Sequence, residues 1–375
     1  MDIESKKELS NLTRNFNIET ERGTDFLNKY GSEHTKSVIK SRLRKYLAFR
    51  DMDCDELIED INEDRKGDKI DREYRTERKV NEFIELLDDL DYSSHSIATI
   101  LGTIRAFYKF HDFPLHGARL KKVEGKTKAK NKVATLDKDK VSQLYNATSS
   151  KRNRALLLFL YQTGQGREQV SILNHGDIAD ELGEKSPLMI DYGGRKGHSI
   201  DYCTFLGADG IHALQNYLEE RKNKLKKKRR ELKEIINKED ENEESKQEAK
   251  AEIEEINSVF NDKGNLKYST PLFAKRNGID RLKPGAISEI LKYIARNTNV
   301  ISDEKLEYAD INPLRPHAFR HNFKTRLTPY VSSFVIEYLM GHSLGTEGEY
   351  FINEIGSKED LREYYAENIE EHVSI

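Results

Sequence analysis

The C-terminal third of the chain contains NPLRPHAFRHNFKTRL at residues 312–327 and VIEYLMGHSLGTEGEY at residues 335–350. In the first segment His317 and Arg320 are three residues apart, and His321 follows immediately. On a helix, residues three apart lie on the same face. The first segment therefore presents a histidine and an arginine together.

The second segment adds His342, which follows a glycine, and Tyr350 eight residues later. Arginine binds phosphate oxygens in a planar fork, histidine moves protons, and tyrosine can act as a covalent nucleophile. The two segments together predict a phosphate site. Taken singly, His317 is as well explained as an ordinary residue of a helix start, and His342 as a capping or core histidine.

The same segments resemble a known family. HAFRH, LMGHS and a later tyrosine are similar to the His-x-x-Arg, Gly-His and nucleophilic-tyrosine motifs of the tyrosine recombinases, or integrases. The stretch at 93–115 resembles the last helices of that family's DNA-clamping domain, and the stretch at 159–178 resembles the start of its catalytic domain. Pro271-Leu272-Phe273 is similar to a short Leu-Phe segment of the family. The resemblance covers residues 36–375, without a charged insertion.

The resemblance implies the chemistry of DNA strand exchange. Tyr350 would attack a scissile phosphodiester and form a 3′-phosphotyrosyl link, and the free 5′-hydroxyl would later attack from a partner strand. Arg320 would stabilise charge on the phosphate, His317 would assist proton transfer, and His342 would donate to a non-bridging oxygen. Because the bond energy is kept in the link, no ATP or other cofactor is implied.

The family also uses a lysine to protonate the leaving 5′-oxygen. By resemblance, Lys196 in GGRKGHSI is the candidate, with Arg195 beside it as the alternative. Preorganised cations of this kind replace the metal ions that other phosphoryl transfers use. No metal is expected.

The chain departs from the family at its first arginine, which normally follows Thr-Gly by two positions. In TGQGREQ that position is Gly166, and Arg167 comes one residue later. On a helix, a shift of one residue turns a side chain by about 100°. Either the loop contains an extra residue, or another cation serves, or catalysis is impaired. Arg167 is the candidate, and its alternative role is an exposed arginine paired with Glu168.

The choice of nucleophile has to be made among 18 tyrosines. Tyr350 has the position after Gly-His-Ser that the family's motif requires. Tyr364 and Tyr365 lie in the tail segment LREYYAENIEEH, where packing is the expected role.

The sequence predicts a mainly α fold with a small β-sheet. Residues 1–35 are expected to be a loosely attached helical arm, and residues 36–118 a helical DNA-binding domain, which by resemblance is the core-binding (SAM-like) domain. A basic linker at 119–134 precedes an α+β catalytic domain at 135–375 with a helical hairpin inserted at 221–260. The α+β character comes from LMIDYGG and HSIDYCTFL, which alternate apolar and polar residues as strands do.

Basic residues are concentrated before the second domain. A Lys-rich linker is explained equally well by solubility and by DNA binding, since a basic connector can lie along phosphates and close around a duplex. The expected DNA contacts are Arg105, Lys109, Lys121, Lys122, Lys126, Lys128, Lys130 and Lys132. The partner is double-stranded DNA, and the family implies a homotetramer assembled on it with the tail helix docked on a neighbour.

Leading into and through the insertion, Leu218, Leu225 and Leu232 recur every seven residues beside a very acidic segment. A projecting helical hairpin fits this pattern. A solvated insertion is favoured over a coiled coil that binds a partner, because three heptad leucines are few.

Charge, apolar runs and cysteine content exclude some classes of protein. The net charge of −3 excludes a uniformly basic coat, so that any DNA surface must be local. There is no apolar run long enough for a membrane span, and a cytoplasmic protein is expected. Cys54 and Cys203 are expected to be buried thiols. Two rival functions remain: a DNA-binding or architectural homologue with impaired catalysis, and a relaxase similar to type IB topoisomerases.

Overall fold

The computed structural model divides the chain into two compact units, Met1–Lys130 and Asn131–Ile375. Each unit has a hydrophobic core of its own. The residues described by the structure are 5–66, 73–123, 136–193, 201–238, 240, 242–298, 300–301 and 312–375. Most of the expected basic linker, from residue 124 onward, lies outside these ranges.

The first unit is a helical bundle. Its helices are α1 (Lys6–Leu12), α2 (Glu21–Asn28), α3 (Glu33–Arg50), α4 (Cys54–Asp64), α5 (Arg75–Asp89) and α6 (Ser94–Phe110). Most of them begin at a residue whose side chain accepts a hydrogen bond from the first turn, as Ser93 does for α6. At the start of α4, Asp53 and Glu56 form a reciprocal capping box. These caps agree with the helical bundle that the sequence predicts.

The N-terminal arm is not loosely attached, so this part of the prediction was wrong. Leu9, Ile18 and Phe26 are each 0% exposed in the core of the first unit. The ring of Phe26 meets the edge of Phe107 at a centroid distance of 5.4 Å. The apolar residues of the arm are few, but the short helices α1 and α2 turn Leu9 and Phe26 toward the core. Ile18 joins them from the segment between the two helices, and burial stabilises all three.

The second unit is mixed α and β. Its helices are α7 (Lys138–Ala147), α8 (Lys151–Thr163), α9 (Arg167–Ile172), α10 (Ala208–Asn237), α11 (Glu243–Ser258), α12 (Pro284–Asn297), α13 (Pro316–Leu327), α14 (Ser333–Leu339), α15 (Gly345–Ile355), α16 (Lys358–Asn368) and α17 (Glu370–Val373). Its strands are β1 (Leu188–Asp191) and β2 (Cys203–Leu206), which pair antiparallel with Leu188 opposite Leu206. This is the small sheet that the sequence predicts.

Helix α8 is the centre of the second unit. Every residue from Ala155 to Thr163 is at most 1% exposed. The helix packs against α10, α13 and β2. The C-terminal end of α8 is therefore held in place by the elements that pack around it.

The charged insertion is a helical hairpin made by the long α10 and the antiparallel α11. Leu225, Leu232, Ala249 and Ile256 are buried at no more than 9% exposure. The pair Lys228–Glu252 bridges the two helices. The heptad leucines are thus covered from within the chain.

The C-terminal tail packs on its own unit. Ile369 and Val373 are both 0% exposed. The backbone N–H of Ala208 donates to Glu370 at 2.8 Å, and the N–H of Ile375 donates to Asp209 at 2.9 Å. The family's tail was expected on a neighbouring protomer, but in this single chain it covers its own core.

Cys54 and Cys203 are buried thiols, as predicted. Burial raises the pKa of each to about 12. In the described ranges, no helix has both the length and the apolar run that crossing a membrane requires.

Candidate active site

Helix α13 carries the His-x-x-Arg segment. It begins with Pro316 at its first position, where the missing N–H costs no hydrogen bond. Phe319 and Phe323 are 0% exposed and anchor one side of the helix. His317 and Arg320 consequently lie on its outer side, with His317 exposed and Arg320 half-buried.

Arg320 is held where two other helices end. Its Nη1 donates to the carbonyl of Gly164, just after α8, at 3.2 Å, and its Nη2 donates to the carbonyl of Met340, just after α14, at 2.7 Å. The C-terminal end of a helix carries partial negative charge, which stabilises a cation there. Burial lowers the pKa of Arg320, while Tyr202 and Glu337 act in the opposite direction. The group stays a cation, since arginine is not deprotonated in proteins.

The glycine of the Gly-His segment closes α14 in a Schellman motif. Gly341 has φ +73°, its N–H donates to the carbonyl of Tyr338 at 2.8 Å, and the N–H of His342 donates to the carbonyl of Glu337 at 3.0 Å. This pairing is the one that a left-handed residue after a helix produces. It brings the residue after the glycine back beside the last turn of the helix.

The Schellman motif places the side chain of His342 between two charged groups. Its Nδ1 bonds to the carboxylate of Glu337 and its Nε2 contacts the guanidinium of Arg320. Glu337 also pairs with Lys324. Burial would raise the pKa of Glu337, but the hydrogen bonds from Lys324 and His342 hold it below its ordinary value. The carboxylate therefore orients the imidazole ring toward Arg320.

His317 lies one turn before Arg320. Partial loss of hydration lowers its pKa, and the positive neighbours Arg315, His321 and Arg320 add to the effect. The imidazole is thus kept neutral at neutral pH, in the form that can accept a proton.

A buried glutamine braces this region from behind. Gln165 is 0% exposed, and its Nε2 donates to the carbonyl of Leu339 at 2.7 Å. It accepts a hydrogen bond from the hydroxyl of Tyr202 at 3.0 Å, and Tyr202 stacks on Tyr192. The sheet, the end of α8 and the end of α14 are tied together by these contacts.

Arg167 makes its hydrogen bonds to residues other than those around Arg320 and His342. Its Nε donates to Glu168 at 3.2 Å and its Nη1 to Ser288 of α12 at 3.2 Å. Gly166 caps α9 with an ordinary extended conformation, φ −80°. Within the described residues, Arg167 has no hydrogen bond to Arg320 or His342. Lys196 and Arg195 lie outside these residues.

The three candidate tyrosines differ in exposure. Tyr350 on α15 is 68% exposed, and Tyr365 is 0% exposed. The hydroxyl of Tyr365 donates to the carbonyl of Gln162, and burial raises its pKa well above the ordinary range. Tyr364 packs partly against the core beneath α15 and α16. Of the three, Tyr350 offers the most accessible phenol.

Of the expected DNA contacts, Arg105 and Lys109 are exposed one turn apart on α6, and Lys122 is exposed after it. Lys121 pairs with Glu85 at 3.0 Å. The remaining four, Lys126, Lys128, Lys130 and Lys132, lie outside the described residues.

The structure also reveals residues that the sequence reasoning missed. Lys36, Lys40 and Arg44 recur every four residues along α3 and, with Arg14, line a shallow cleft of about 340 Å³ in the first unit. Glu337 was missed as well. Its signal was a glutamate five residues before a histidine with glycine between them, which is the spacing of a Schellman motif.

Comparison with known proteins shows the fold. No model of a known protein family matches the sequence, and no curated protein matches it. The Tn1549 transposon integrase in complex with transposon right-end DNA aligns with TM-score 0.52 and 14% identity over 96% of this chain and 98% of the other. The same integrase with circular intermediate DNA aligns with TM-score 0.51 and 12% identity over 92% and 94%. The chain thus has this integrase architecture, a helical domain followed by an α+β domain.

Proposed function

We propose that this protein is a site-specific DNA recombinase that breaks and rejoins DNA through a covalent 3′-phosphotyrosine. The observation that carries the proposal is the contact between Arg320 and His342 at the meeting of α8 and α14, with His317 one turn away. Two nitrogen-bearing side chains with fixed orientation suit the non-bridging oxygens of a phosphate. The fold shared with a transposon integrase supports the same reading.

In the proposed reaction, the phenol oxygen of Tyr350 attacks phosphorus and the 5′-oxygen of DNA leaves. His317, neutral at pH 7, accepts the phenol proton. Arg320 and His342 stabilise the charge on the non-bridging oxygens, and Lys196 is the candidate that protonates the 5′-oxygen. Rejoining is the reverse attack by a 5′-hydroxyl, so no cofactor is consumed.

The proposed partner is double-stranded DNA, bound by a homotetramer. The integrase with the similar fold was solved with transposon DNA. Arg105, Lys109 and Lys122 supply exposed positive charge in the first unit. Site-specific binding by several protomers would bring two cleavage sites together for strand exchange.

The test is to trap a covalent protein–DNA adduct on nicked suicide substrates drawn from DNA flanking the gene. Wild type should form the adduct, Tyr350→Phe should not, and Tyr364→Phe should behave as wild type. An adduct that survives Tyr350→Phe would refute the assigned nucleophile. Binding without an adduct across a wide set of substrates would refute the recombinase.

The second candidate function is a DNA-binding homologue with impaired catalysis. The absence of a side chain at Gly166, together with the contact of Arg167 to Ser288, favours it. A Cβ at Gly166 would meet only the flexible end of Gln169, so this position has room for a side chain.

Gly166→Arg distinguishes the two functions. If the missing arginine limits catalysis, this variant should raise the rate of adduct formation by roughly 100- to 1,000-fold, as expected for one added charge-stabilising donor. Gly166→Ala is the matched control and should leave the rate unchanged. An active wild type that Gly166→Arg does not improve would show that another cation already serves.

A further inference from the structure

A cavity of about 940 Å³ lies in the second unit, away from the residues of the candidate active site. It is formed by the start of α8, the middle of α10, the turn at 275–278 and one side of α12. Its volume is in the range of pockets that hold small molecules and cofactors.

One wall of the cavity is cationic. The cavity is lined by six basic side chains, Arg152, Arg221, Lys224, Lys228, Lys275 and Arg276, and by two acidic ones, Glu220 and Glu289, of which Glu289 lies on α12. The three lysines have carboxylate partners in Glu220, Glu252 and Asp280. No carboxylate in the described part of the chain forms an ion pair with any of the three arginines. The wall therefore keeps an excess of positive charge.

Arg221 lines the cavity and has a buried donor that a bound anion could satisfy. It is 4% exposed, its Nε donates to the carbonyl of Gly278 at 2.8 Å, and its Nη1 donates to the carbonyl of Pro271 at 2.7 Å. Its buried Nη2 donates no hydrogen bond of ordinary geometry within the described residues, although the Tyr217 hydroxyl interacts with the guanidinium. A buried polar group without a partner is costly, and an anion would satisfy this one.

The neighbouring arginine is also set up for an anion. Arg152 donates from Nη1 to the carbonyl of Ala274 at 3.0 Å and from Nε and Nη2 to Asn153 Oδ1 at 3.2 Å, which fixes its guanidinium at the start of α8. The positive charge of Arg276 acts on it from the turn at 275–278. Both guanidinium groups line the same cavity, and an anion bound between them would offset their repulsion.

The wall formed by α12 is mainly apolar and aromatic, with Glu289 as its acidic residue. Ile290 and Ile294 of α12 line it together with Tyr293, whose ring is 64% exposed. Phosphates alone would leave this wall uncovered, whereas a planar base can stack on a tyrosine ring. The two walls together suit a ligand that has both a polyanionic part and a planar ring.

From these two walls we propose that the cavity binds a nucleoside polyphosphate. The phosphates lie against Arg152, Arg221 and Arg276, and the base packs on Tyr293. Duplex DNA suits the cavity less well, since its bases are stacked inside the helix and only phosphates would reach the arginines. This site is separate from the cleavage chemistry proposed above, and its test does not depend on that chemistry.

The test is calorimetric titration of the full-length protein with ATP, inorganic pyrophosphate and adenosine. ATP should bind with one site per chain, and each of the two fragments should bind at least about tenfold more weakly. Arg276→Glu should weaken ATP by at least about tenfold. Tyr293→Ala should weaken ATP but not pyrophosphate, because it removes only the ring contact.

Both variants change exposed side chains, so they should fold normally, whereas Arg221 holds backbone carbonyls and its loss would disturb the core. Lys227→Glu is the control, since Lys227 is on α10 outside the cavity with a 71% exposed side chain. It should leave ATP affinity unchanged. The proposal fails if ATP does not bind at millimolar concentration. It also fails if Arg276→Glu and Lys227→Glu have equal effects, or if a short acidic peptide binds through the same residues and ATP does not.

Discussion

At the residue scale, Gly341 determines the position of His342. Its backbone is left-handed at φ +73°, and a Cβ there would lie 2.4 Å from the ring of Tyr202. Both observations require glycine, because other residues pay for a positive φ and for the overlap. The glycine of the Gly-His segment is therefore structural, and it acts on the candidate site through the backbone.

Gly341→Ala should lower the free energy of unfolding of the second unit by about 2–4 kcal/mol, the combined cost of the strained backbone and the overlap with Tyr202. Urea denaturation followed by circular dichroism measures this. Gly285→Ala is the control, because a Cβ at Gly285 meets nothing within 4 Å. Equal stability of the two variants would contradict the argument.

Protonation of His317 should set the lower pH limit of the proposed cleavage reaction. Its pKa is lowered from the ordinary 6.5 by loss of hydration and by positive neighbours. The ring is thus protonated only below that pH, and the rate of adduct formation should fall only as the pH drops below 6.5. His317→Asn should be slower and should lose this inflection. An inflection above pH 6.5, or one that persists in the variant, would rule out His317 as the base.

The sequence was informative about which residues meet, but less so about how they are held. Spacing placed His317 and Arg320 on one helix face, and the structure brings Arg320 into contact with His342. The carbonyls that fix Arg320 belong to helix ends distant in sequence, which no local pattern reveals. Glu337 is a different case, because its signal is local: only the left-handed turn at Gly341 brings this glutamate back beside His342.

At the element scale, the α10–α11 hairpin divides into an inner part and an outer part. The inner part includes Leu225, 3% exposed and close to Gly278, and Ile256, 0% exposed. Among the described residues of the outer part, 234–238, 240 and 242–247, the apolar side chains that pack on the core are only partly buried. Removing the inner part should therefore lower the free energy of unfolding more than removing the outer part.

Replacing residues 234–247 with a short Gly-Ser turn should lower the free energy of unfolding by less than about 2 kcal/mol and leave adduct formation intact. Leu225→Ala, in the inner part, should cost about 2–5 kcal/mol. Urea denaturation and the suicide-substrate assay measure the two effects. Loss of cleavage in a folded truncated protein would show that the outer hairpin has a function beyond solvation.

Elements differ in how well the sequence predicts them. Long periodic segments such as α6 and α8 were clear, because their apolar residues repeat at helical spacing. The sequence predicts a loosely attached N-terminal arm because α1 and α2 are short and mostly polar. Its packing depends on Leu9, Ile18 and Phe26 meeting a core formed by other helices, which is a tertiary effect.

At the scale of the whole molecule, DNA affinity should depend steeply on salt although the net charge is −3. Each lysine or arginine that neutralises a phosphate releases counterions, so the logarithm of affinity falls linearly with the logarithm of salt concentration. Arg105→Ala and Lys109→Ala should each reduce that slope by about 1.

Lys79→Ala is the control for the salt experiment, because Lys79 pairs with Glu82 at 2.7 Å on α5. Fluorescence anisotropy with a labelled duplex at several salt concentrations measures the slopes. An unchanged slope in both α6 variants would place the DNA surface elsewhere, with the α3 cleft as the next candidate.

Because both native cysteines are buried, the protein can be labelled with dyes at introduced cysteines. A thiol reacts as thiolate, and a pKa of about 12 leaves Cys54 and Cys203 protonated at neutral pH as well as covered. A cysteine introduced at Lys79 in the first unit, whose side chain is 44% exposed, and another at Lys227 in the second would be the only readily labelled thiols. A donor and an acceptor dye can thus be attached to the otherwise native sequence, and energy transfer between them would follow the two units while DNA is bound and released.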